Sequence, residues 1–377
     1  MFTTQDQDNL RAGARGLTRN HNGGLARRLR RAAAGAVCAA AVAVPLISAA
    51  GAQAATTVTP TYTPLSLVNG WTNYGFGVAN AAAANINGIV HLKGGIKTSG
   101  LNPVPFILPK ADRPAARVYV LVDMCGGTNG RLDITPNGVA TVEPEGANWN
   151  NASCFTSLDG ATFAKSATSF TPLTLQNGWA SYGGGTASPA ARNISGIVYL
   201  KGAMYTAGTT QLAVTLPPAD WPAAVVNIPV DLCNATGGQL EVTPSGMAVV
   251  YADVWSNASC FTSLDGVSFA TSATSFTPLT LQNGWTSVAG EASPAVRKIS
   301  GIVHLEGAMQ NGTSPAVFTL PAGFRPAHDV YVKVLFADSS NGRLFITPSG
   351  SVTVQAEGGN WTSAQAFTSL DGASFAR

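Results

Sequence analysis

The sequence predicts an all-β protein that consists of three tandem β-sandwich domains of the jelly-roll type. One observation behind this prediction is internal repetition. Segment 166–179 recurs unchanged as 272–285, and the equivalent Trp71, Trp179 and Trp285 lie roughly one hundred residues apart, the length of a domain rather than of a solenoid repeat. The other is the pattern within each repeat, where short apolar segments alternate with Gly- and Pro-containing turns and no segment has helical periodicity.

The strands are most clearly defined in the second and third repeats. Apolar and polar residues alternate along segments 196–204 and 301–309, which predicts one strand with a buried face in each. The apolar segment Val330–Phe336 predicts another strand, and a hairpin tip of sequence Thr-Pro-Ser-Gly follows at 347–350. Pro presets φ there and Gly accepts positive φ. About seven or eight short strands of this kind are expected in each repeat.

The first 54 residues have the features of a secretory signal. Four arginines between residues 27 and 31 precede an Ala- and Val-rich run, and small residues follow up to Ala54, where we place the cleavage site. A membrane anchor is the alternative, but Pro45 interrupts the run, which barely reaches the roughly 20 residues that a bilayer requires. We therefore expect a secreted, extracellular protein with no membrane span after cleavage.

The repeats occupy residues 55–165, 166–271 and 272–377, and their charge is nearly balanced. Seven of the 22 basic residues but only two of the 19 acidic residues lie in the predicted signal. Binding to phosphate groups requires a concentrated basic face, which such a balance does not supply. Nucleic acid is thus not an expected partner.

The cysteines predict one disulfide in each of the first two repeats. Cys125 and Cys154 align with Cys233 and Cys260, whereas repeat 3 has Ala at both positions. Two positions that are lost together are expected to be bonded, and an exported chain favours disulfides over free thiols. Each bond would close a loop of about 30 residues. A metal site is not expected, because no His or third Cys shares the spacing.

The order of motifs resembles a known family. Trp285, segments 297–307, 318–326 and 346–350, and the final segment 369–375 together resemble the C-terminal knob of bacteriophage tail-fibre and minor tail proteins. The resemblance extends over all three repeats. It implies a β-sandwich head that forms a trimer around a threefold axis and contacts host-surface glycans. The Ala-rich composition and the signal are typical of a secreted actinobacterial protein that has reused this module.

Three linked copies can reproduce such a trimer within one chain. If one knob domain packs against two neighbours, an intrachain pseudo-trimer would satisfy these contacts, and the protein would be a monomer. Six residues separate Phe163 from Phe170, and six extended residues span at most roughly 20 Å. We therefore expect the repeats to touch, while an arrangement of domains in a row stays open, because short linkers restrict geometry without selecting it.

No catalytic constellation recurs among the repeats. His91 and His304 share a position that is Tyr199 in repeat 2, so no base recurs beside a nucleophile. We expect these histidines on the solvent face of strands. The aspartate of Leu-Asp-Gly recurs and is assigned to a turn, at Asp159, Asp265 and Asp371. The sequence therefore predicts a non-enzymatic protein with neither a cofactor nor a metal.

Six of the seven tryptophans form two equivalent sets. The first set is assigned to the core or to contacts between repeats and consists of Trp71, Trp179 and Trp285. The second set occurs in Asn-rich segments predicted as loops and consists of Trp149, Trp255 and Trp361. Indole rings can stack on sugar rings, so this second set is the candidate ligand-binding set, with core packing as an equal alternative. The predicted function is binding to a polysaccharide or cell-surface glycan; a structural or protein-binding targeting module is the alternative.

Overall fold

The computed structural model describes residues 60–272 and 275–377, and residues Ala55–Arg377 form one compact unit. The predicted signal at 1–54 lies outside the described residues. Strands dominate the described part, and helices are short. The prediction of an all-β fold is thus confirmed. In the described residues, no helix is long and apolar enough to cross a membrane.

Each repeat contributes eleven strands and one α-helix to the described part, in the same order. Repeat 1 contains β1 (Thr63–Pro64), β2 (Trp71–Asn73), β3 (Ala82–Ile86), β4 (Ile89–Lys93), β5 (Gly95–Thr98), β6 (Phe106–Ile107), β7 (Val118–Asp123), β8 (Asn129–Ile134), β9 (Val139–Pro144), α1 (Trp149–Cys154), β10 (Thr156–Ser157) and β11 (Thr162–Ala164). Repeat 2 contains β12 (Thr171–Pro172), β13 (Trp179–Ser181), β14 (Ala190–Ile194), β15 (Ile197–Lys201), β16 (Ala203–Thr206), β17 (Leu212–Thr215), β18 (Val226–Asp231), β19 (Gly237–Val242), β20 (Met247–Tyr251), α2 (Trp255–Cys260), β21 (Thr262–Ser263) and β22 (Ser268–Ala270). Repeat 3 contains β23 (Thr277–Pro278), β24 (Thr286–Ser287), β25 (Ala295–Ile299), β26 (Ile302–Glu306), β27 (Ala308–Gln310), β28 (Ala316–Thr319), β29 (Val330–Phe336), β30 (Asn341–Ile346), β31 (Ser351–Ala356), α3 (Trp361–Ala366), β32 (Thr368–Ser369) and β33 (Ser374–Ala376).

Two layers of antiparallel sheet build each repeat. One sheet has the order β1-β3-β4-β11, and its counterparts recur in repeats 2 and 3. In repeat 3 the second sheet is continuous, in the order β24-β27-β32-β29-β30-β31-β28. In repeat 1 it is divided into β2-β5-β10 and β6-β9-β8-β7, which a single bridge between Met124 and Thr156 connects. Both layers contribute to one main hydrophobic core in each repeat, and two smaller clusters of buried residues lie between repeats.

The predicted strand over 196–204 is in fact two strands, β15 and β16, which end and begin on either side of Gly202. Gly202 has φ +91°, and a Cβ there would collide with the carbonyl oxygens of Ala187 and Ser188. The chain can turn at this point only with glycine. The same break occurs at Gly307 between β26 and β27. Apolar alternation continues through the break, which is why periodicity alone does not reveal it.

The three repeats form a closed ring. Strands β7, β18 and β29 contact one another in pairs. Ser263 Oγ of repeat 2 donates to the Tyr119 carbonyl of repeat 1 at 2.7 Å, and Ser157 Oγ of repeat 1 donates to the Tyr331 carbonyl of repeat 3 at 2.7 Å. Repeat 3 therefore contacts repeat 1 as well as repeat 2, which is the contact pattern that an intrachain pseudo-trimer requires.

Buried charge pairs occupy two of the three junctions around the axis. Asp123 of repeat 1 lies 3.0 Å from Arg343 and 4.0 Å from Lys333, both of repeat 3. Asp231 of repeat 2 lies 3.5 Å from Arg131 of repeat 1. At the junction of repeats 2 and 3 there is no charge pair at the equivalent positions. Gln239 replaces the arginine of the other two junctions, and Leu335 replaces the aspartate.

The predicted disulfides are present. Cys125 is bonded to Cys154 and Cys233 to Cys260, with Cα–Cα distances of 6.1 and 6.2 Å. Each bond joins the first residue of a 3₁₀ turn to the last residue of the short α-helix. In repeat 3 the same turn and helix form with Ala337 and Ala366 at these positions.

Candidate ligand-binding site

The two tryptophan sets meet in every repeat. The ring centroids of Trp71 and Trp149 lie 5.9 Å apart at an interplanar angle of 86°, and the pairs in repeats 2 and 3 have the same edge-to-face arrangement. The first set is buried, as predicted. The second set is partly buried against it. The prediction that the second set lies in loops is wrong, because each member begins a short α-helix.

In Trp149 and Trp255 the indole N–H group binds backbone within the same repeat. Trp149 Nε1 donates to the Gly100 carbonyl at 2.9 Å, and Trp255 Nε1 donates to the Gly208 carbonyl at 3.1 Å. A buried indole N–H normally finds such a partner. Any ligand would therefore contact the apolar ring surface of these tryptophans, and its hydrogen bonds would have to come from neighbouring side chains.

Trp149 lines a cleft of about 730 Å³ between repeats 1 and 2. The cleft combines this ring with Leu101, which is 84% exposed, and with the polar side chains of Arg131, Glu143 and Asn234. Asn234 belongs to the 3₁₀ turn Cys233–Ala235 of repeat 2. The cleft therefore exists only because the ring brings two repeats together.

Arg131 is held in place at this cleft by Glu143 and Tyr119. Its Nε donates to Glu143 Oε2 at 2.8 Å, and its guanidinium lies 4.8 Å from the Tyr119 ring centroid. Such contacts fix a long side chain before a ligand arrives, so less conformational entropy is lost on binding. The cleft thus offers an apolar ring surface beside a fixed pair of hydrogen-bonding groups.

The surroundings of the three tryptophans differ, although the tryptophans are equivalent. Leu101 corresponds to Thr209 and Thr313. In each repeat, two adjacent strands present one pair of facing residues at equivalent positions. The pair is Arg131 and Glu143 on β8 and β9, Gln239 and Tyr251 on β19 and β20, and Arg343 and Gln355 on β30 and β31. Three identical binding sites are therefore not expected, and repeat 1 has the site with the most apolar and charged groups.

Exposed aromatic residues outside both tryptophan sets add to the surface. Phe76 is 78% exposed, and Lys97 Nζ lies 4.9 Å from its ring centroid. In repeat 2, Tyr182 and Tyr205 are 42% and 41% exposed, with ring centroids 6.4 Å apart. Sequence analysis missed Phe76, although a signal exists: it interrupts a glycine-rich turn where repeat 2 has glycine only.

The recurring aspartates lie in turns, as predicted, and also join neighbouring repeats. Asp265 Oδ1 accepts from the Gly202 N–H at 3.0 Å, and its Oδ2 accepts from the Tyr119 N–H of repeat 1 at 3.4 Å. Burial raises the pKa of Asp265 to about 7, although these N–H groups act in the opposite direction. Asp159 and Asp371 have the same double role. Their role is to hold the ring together.

The prediction that His91 and His304 face solvent is wrong. Both are 4% exposed, on β4 and β26, and the His91 ring centroid lies 6.4 Å from that of Tyr199 on β15. Burial lowers the pKa of His91 to about 3 and that of His304 to about 4, so both are neutral above mildly acid pH. The polar face of these strands is covered by the neighbouring repeats, which no single repeat can indicate.

Within residues 60–272 and 275–377, no group of three or more His, Cys, Asp or Glu side chains is arranged to hold a metal ion. Comparison of this chain with family models, with curated proteins and with solved structures finds no match.

Proposed function

We propose that this chain is a secreted, non-enzymatic protein that binds cell-surface or environmental glycans, with binding sites that include Trp149, Trp255 and Trp361. The cleft beside Trp149 is the observation that supports this function best. An indole ring offers a flat apolar surface to the apolar face of a sugar, while fixed polar groups select its hydroxyls.

The polar groups of the cleft suit sugar hydroxyls. Glu143 supplies a carboxylate acceptor that Arg131 holds in place, and Asn234 supplies a donor and an acceptor. A neutral, hydroxyl-rich ligand can satisfy donors and acceptors together, without the net charge that nucleic acid would bring. The ring of three repeats also fits the trimeric knob implied by the resemblance to tail-fibre proteins, and repeated sites would favour attachment to a polymer.

The remaining parts of the proposal rest on compartment and chemistry. The two disulfides favour an oxidising, extracellular location, in agreement with the predicted signal. Non-enzymatic binding is favoured because the recurring aspartates bridge repeats and because His91 and His304 are buried, so neither group is available to a substrate.

A glycan array followed by pull-down on the retained polysaccharide tests this function. Trp149→Ala should weaken binding to polymer much more than binding to a short oligosaccharide averaged over sites, and replacement of all three tryptophans should abolish both. Trp221→Ala is the matched control, because Trp221 is 36% exposed, belongs to neither set and donates to the Leu216 carbonyl. Equal loss with Trp221→Ala would contradict a role for the second set.

Thermal melting of the same variants separates binding from packing. A buried Trp→Ala replacement typically costs about 3–5 kcal/mol. If Trp149→Ala lowers the melting temperature by several degrees while Trp221→Ala does not, Trp149 is a core residue, and its effect on binding carries no information about a site.

A structural or protein-binding role is the second candidate, and two exposed apolar side chains favour it. Leu101, which lines the Trp149 cleft, is 84% exposed, and Phe76 is 78% exposed, so both offer apolar surface to a protein partner. This role would be favoured if the protein binds nothing on a broad glycan array but still labels cells. Protease treatment of the cells should then remove the labelling, and periodate oxidation should leave it intact. The reverse sensitivity would favour glycan binding.

A further inference from the structure

We propose that a small organic carboxylate with an apolar body binds in a pocket of about 400 Å³ between repeats 1 and 2, and that Lys201 binds its charged group. The pocket shares no lining residue with the Trp149 cleft, so this proposal does not rest on glycan binding. Val118 of repeat 1 and Lys201 of repeat 2 both line the pocket. The site therefore needs the contact between the two repeats.

Lys201 is a buried lysine without a partner. It is the last residue of β15 and is 6% exposed. Within residues 60–272 and 275–377, its Nζ forms neither a hydrogen bond nor an ion pair. The unpartnered polar atoms that are sealed from solvent do not include this Nζ, so the ammonium keeps some accessible surface. Because lysine is almost never buried unless it is paired, this ammonium indicates a missing partner.

The accessible surface of the ammonium opens into the pocket. Lys201 Nζ lies 5.5 Å from the ring centroid of Phe170, which also lines the pocket. The charge of Asp265, a further lining residue, acts on the same ammonium. An aromatic ring attracts a cation but does not replace hydrogen-bond acceptors for its three N–H donors. A ligand in the pocket can supply those acceptors.

Most of the remaining pocket wall is apolar. Alanines of both repeats and two prolines of repeat 2 supply much of it, together with Val118 and Phe170. Ser166 and Ser188 add two hydroxyl groups. A largely apolar wall with a few polar groups that point into one space is the usual form of a small-molecule site. The apolar wall therefore suits the body of the ligand, and the ammonium suits its charged group.

The charges around the pocket favour an anion. Asp265 is the acid of the lining, and its carboxylate already accepts two backbone N–H groups. Lys165 is a second cation of the lining, and its charge also acts on Asp112. Burial lowers the pKa of Lys201, and Asp265 opposes this shift. A bound carboxylate would offset the cost of burying the ammonium through opposite charge and charge-assisted hydrogen bonds.

The fold of a repeat does not require a lysine at this position. The equivalent last residues of β4 and β26 are Lys93 and Glu306. Lys93 is half-buried, with its Nζ 4.3 Å from the Tyr62 ring centroid. Glu306 has the opposite charge. Because the position accepts either sign of charge, packing of the strand does not explain the buried ammonium of Lys201.

Isothermal titration of sodium octanoate into the whole protein tests the proposal. We expect one octanoate per chain. Lys201→Met keeps an apolar stem of similar length and should weaken binding at least tenfold, because the charge-assisted hydrogen bonds are lost. Lys93→Met is the matched control, because Lys93 occupies the equivalent position outside the pocket, and it should bind octanoate like the wild type.

Two further probes of the wild type separate the charged group from the apolar body. 1-Octanol has the same chain without the charge, and inorganic phosphate has the charge without the chain. Each should bind at least tenfold more weakly than octanoate. This comparison keeps the test valid if Lys201→Met does not fold, and circular dichroism checks the fold of both variants.

Each other outcome overturns the proposal. A wild type without saturable octanoate binding would exclude the site. Unchanged affinity in a folded Lys201→Met variant would place octanoate elsewhere, and an equal loss in Lys93→Met would remove the specific role of Lys201. Octanol that binds as tightly as octanoate would show that the ammonium does not contribute. Phosphate that binds as tightly would show that the apolar wall does not contribute.

Discussion

Replacement of Asp265 by Asn tests the bond that holds repeat 2 against repeat 1. The carboxylate accepts N–H groups from Gly202 and from Tyr119 of the neighbouring repeat, at 3.0 and 3.4 Å. Asn keeps one acceptor and places an NH₂ group opposite the other N–H. Loss of a partner for a buried donor costs about 1–3 kcal/mol. At mildly acid pH the folded protein holds this group as the neutral acid, whose hydroxyl oxygen can still accept, whereas an amide NH₂ cannot; we therefore expect Asp265→Asn to destabilise the protein by about this amount.

The size of this effect should depend on pH. Burial raises the pKa of Asp265 from 3.8 to about 7. The unfolded chain therefore loses this proton near pH 4, whereas the folded chain keeps it until about pH 7. The resulting stabilisation is fully present below pH 4 and is lost as pH rises to about 7. At about 1.4 kcal/mol per pKa unit, the wild type should lose about 3 kcal/mol through this group between pH 5 and pH 8.

Urea denaturation of wild type and variant at pH 5 and pH 8 measures the effect. Asn does not titrate, and the other groups are common to both proteins, so the stability deficit of the variant should shrink by about 3 kcal/mol at pH 8. Asp371→Asn should show a smaller change, because burial raises the pKa of Asp371 only to about 6. A deficit that is equal at both pH values would refute the argument, since the carboxylate would then titrate normally in the folded protein.

Three further predictions concern the ring. Replacement of Cys125 and Cys154 together by Ala, as in repeat 3, should lower the free energy of unfolding by about 3 kcal/mol, because the disulfide closes a long loop; a disulfide between repeats 1 and 2 in non-reducing peptide mapping would contradict the pairing. Above pH 8, Arg131→Gln should cost about 3–5 kcal/mol, because burial raises the pKa of Asp231 to about 8 and the ionised carboxylate then stays buried without its cation. Arg131→Gln combined with Asp231→Leu copies the uncharged junction and should recover most of that loss in urea denaturation; equal losses would show that the pair does not act as a unit. Small-angle X-ray scattering should find a compact monomer with a radius of gyration of about 20 Å, whereas an elongated particle or a trimer of chains would argue against the ring in solution.

Local signals made much of the fold predictable. The tandem copies, the short strands and the turns can be predicted from segments of a few residues. The backbone preference of each residue and its place in the hydrophobic pattern determine the local conformation. The disulfides follow from the joint loss of two cysteines in repeat 3, a comparison that the chain itself supplies. The buried position of Trp71 and its equivalents follows from their large apolar area.

Properties that depend on a neighbouring repeat were predicted poorly. The polar face of β4 and β26 suggested solvent for His91 and His304, but the ring covers that face. Leu-Asp-Gly indicates a turn, yet the second bond of Asp265 goes to Tyr119, 146 residues away in the chain. The break between β15 and β16 at Gly202 was missed because the alternation of apolar and polar residues continues through the point where the backbone turns.

The sequence by itself determined the class of fold, the number of repeats and the pairing of cysteines. Periodicity and turn chemistry can be read within each repeat, and the cysteine pairing follows from comparison of one repeat with another. Only the tertiary structure decided that the repeats close into a ring, that the aspartates bridge them, and that Trp149 faces a cleft shared by two repeats. The physical reason is that these features depend on which surfaces meet at the junctions. Residues far apart in the chain, such as Asn129 and Glu357, become neighbours only when the ring is closed.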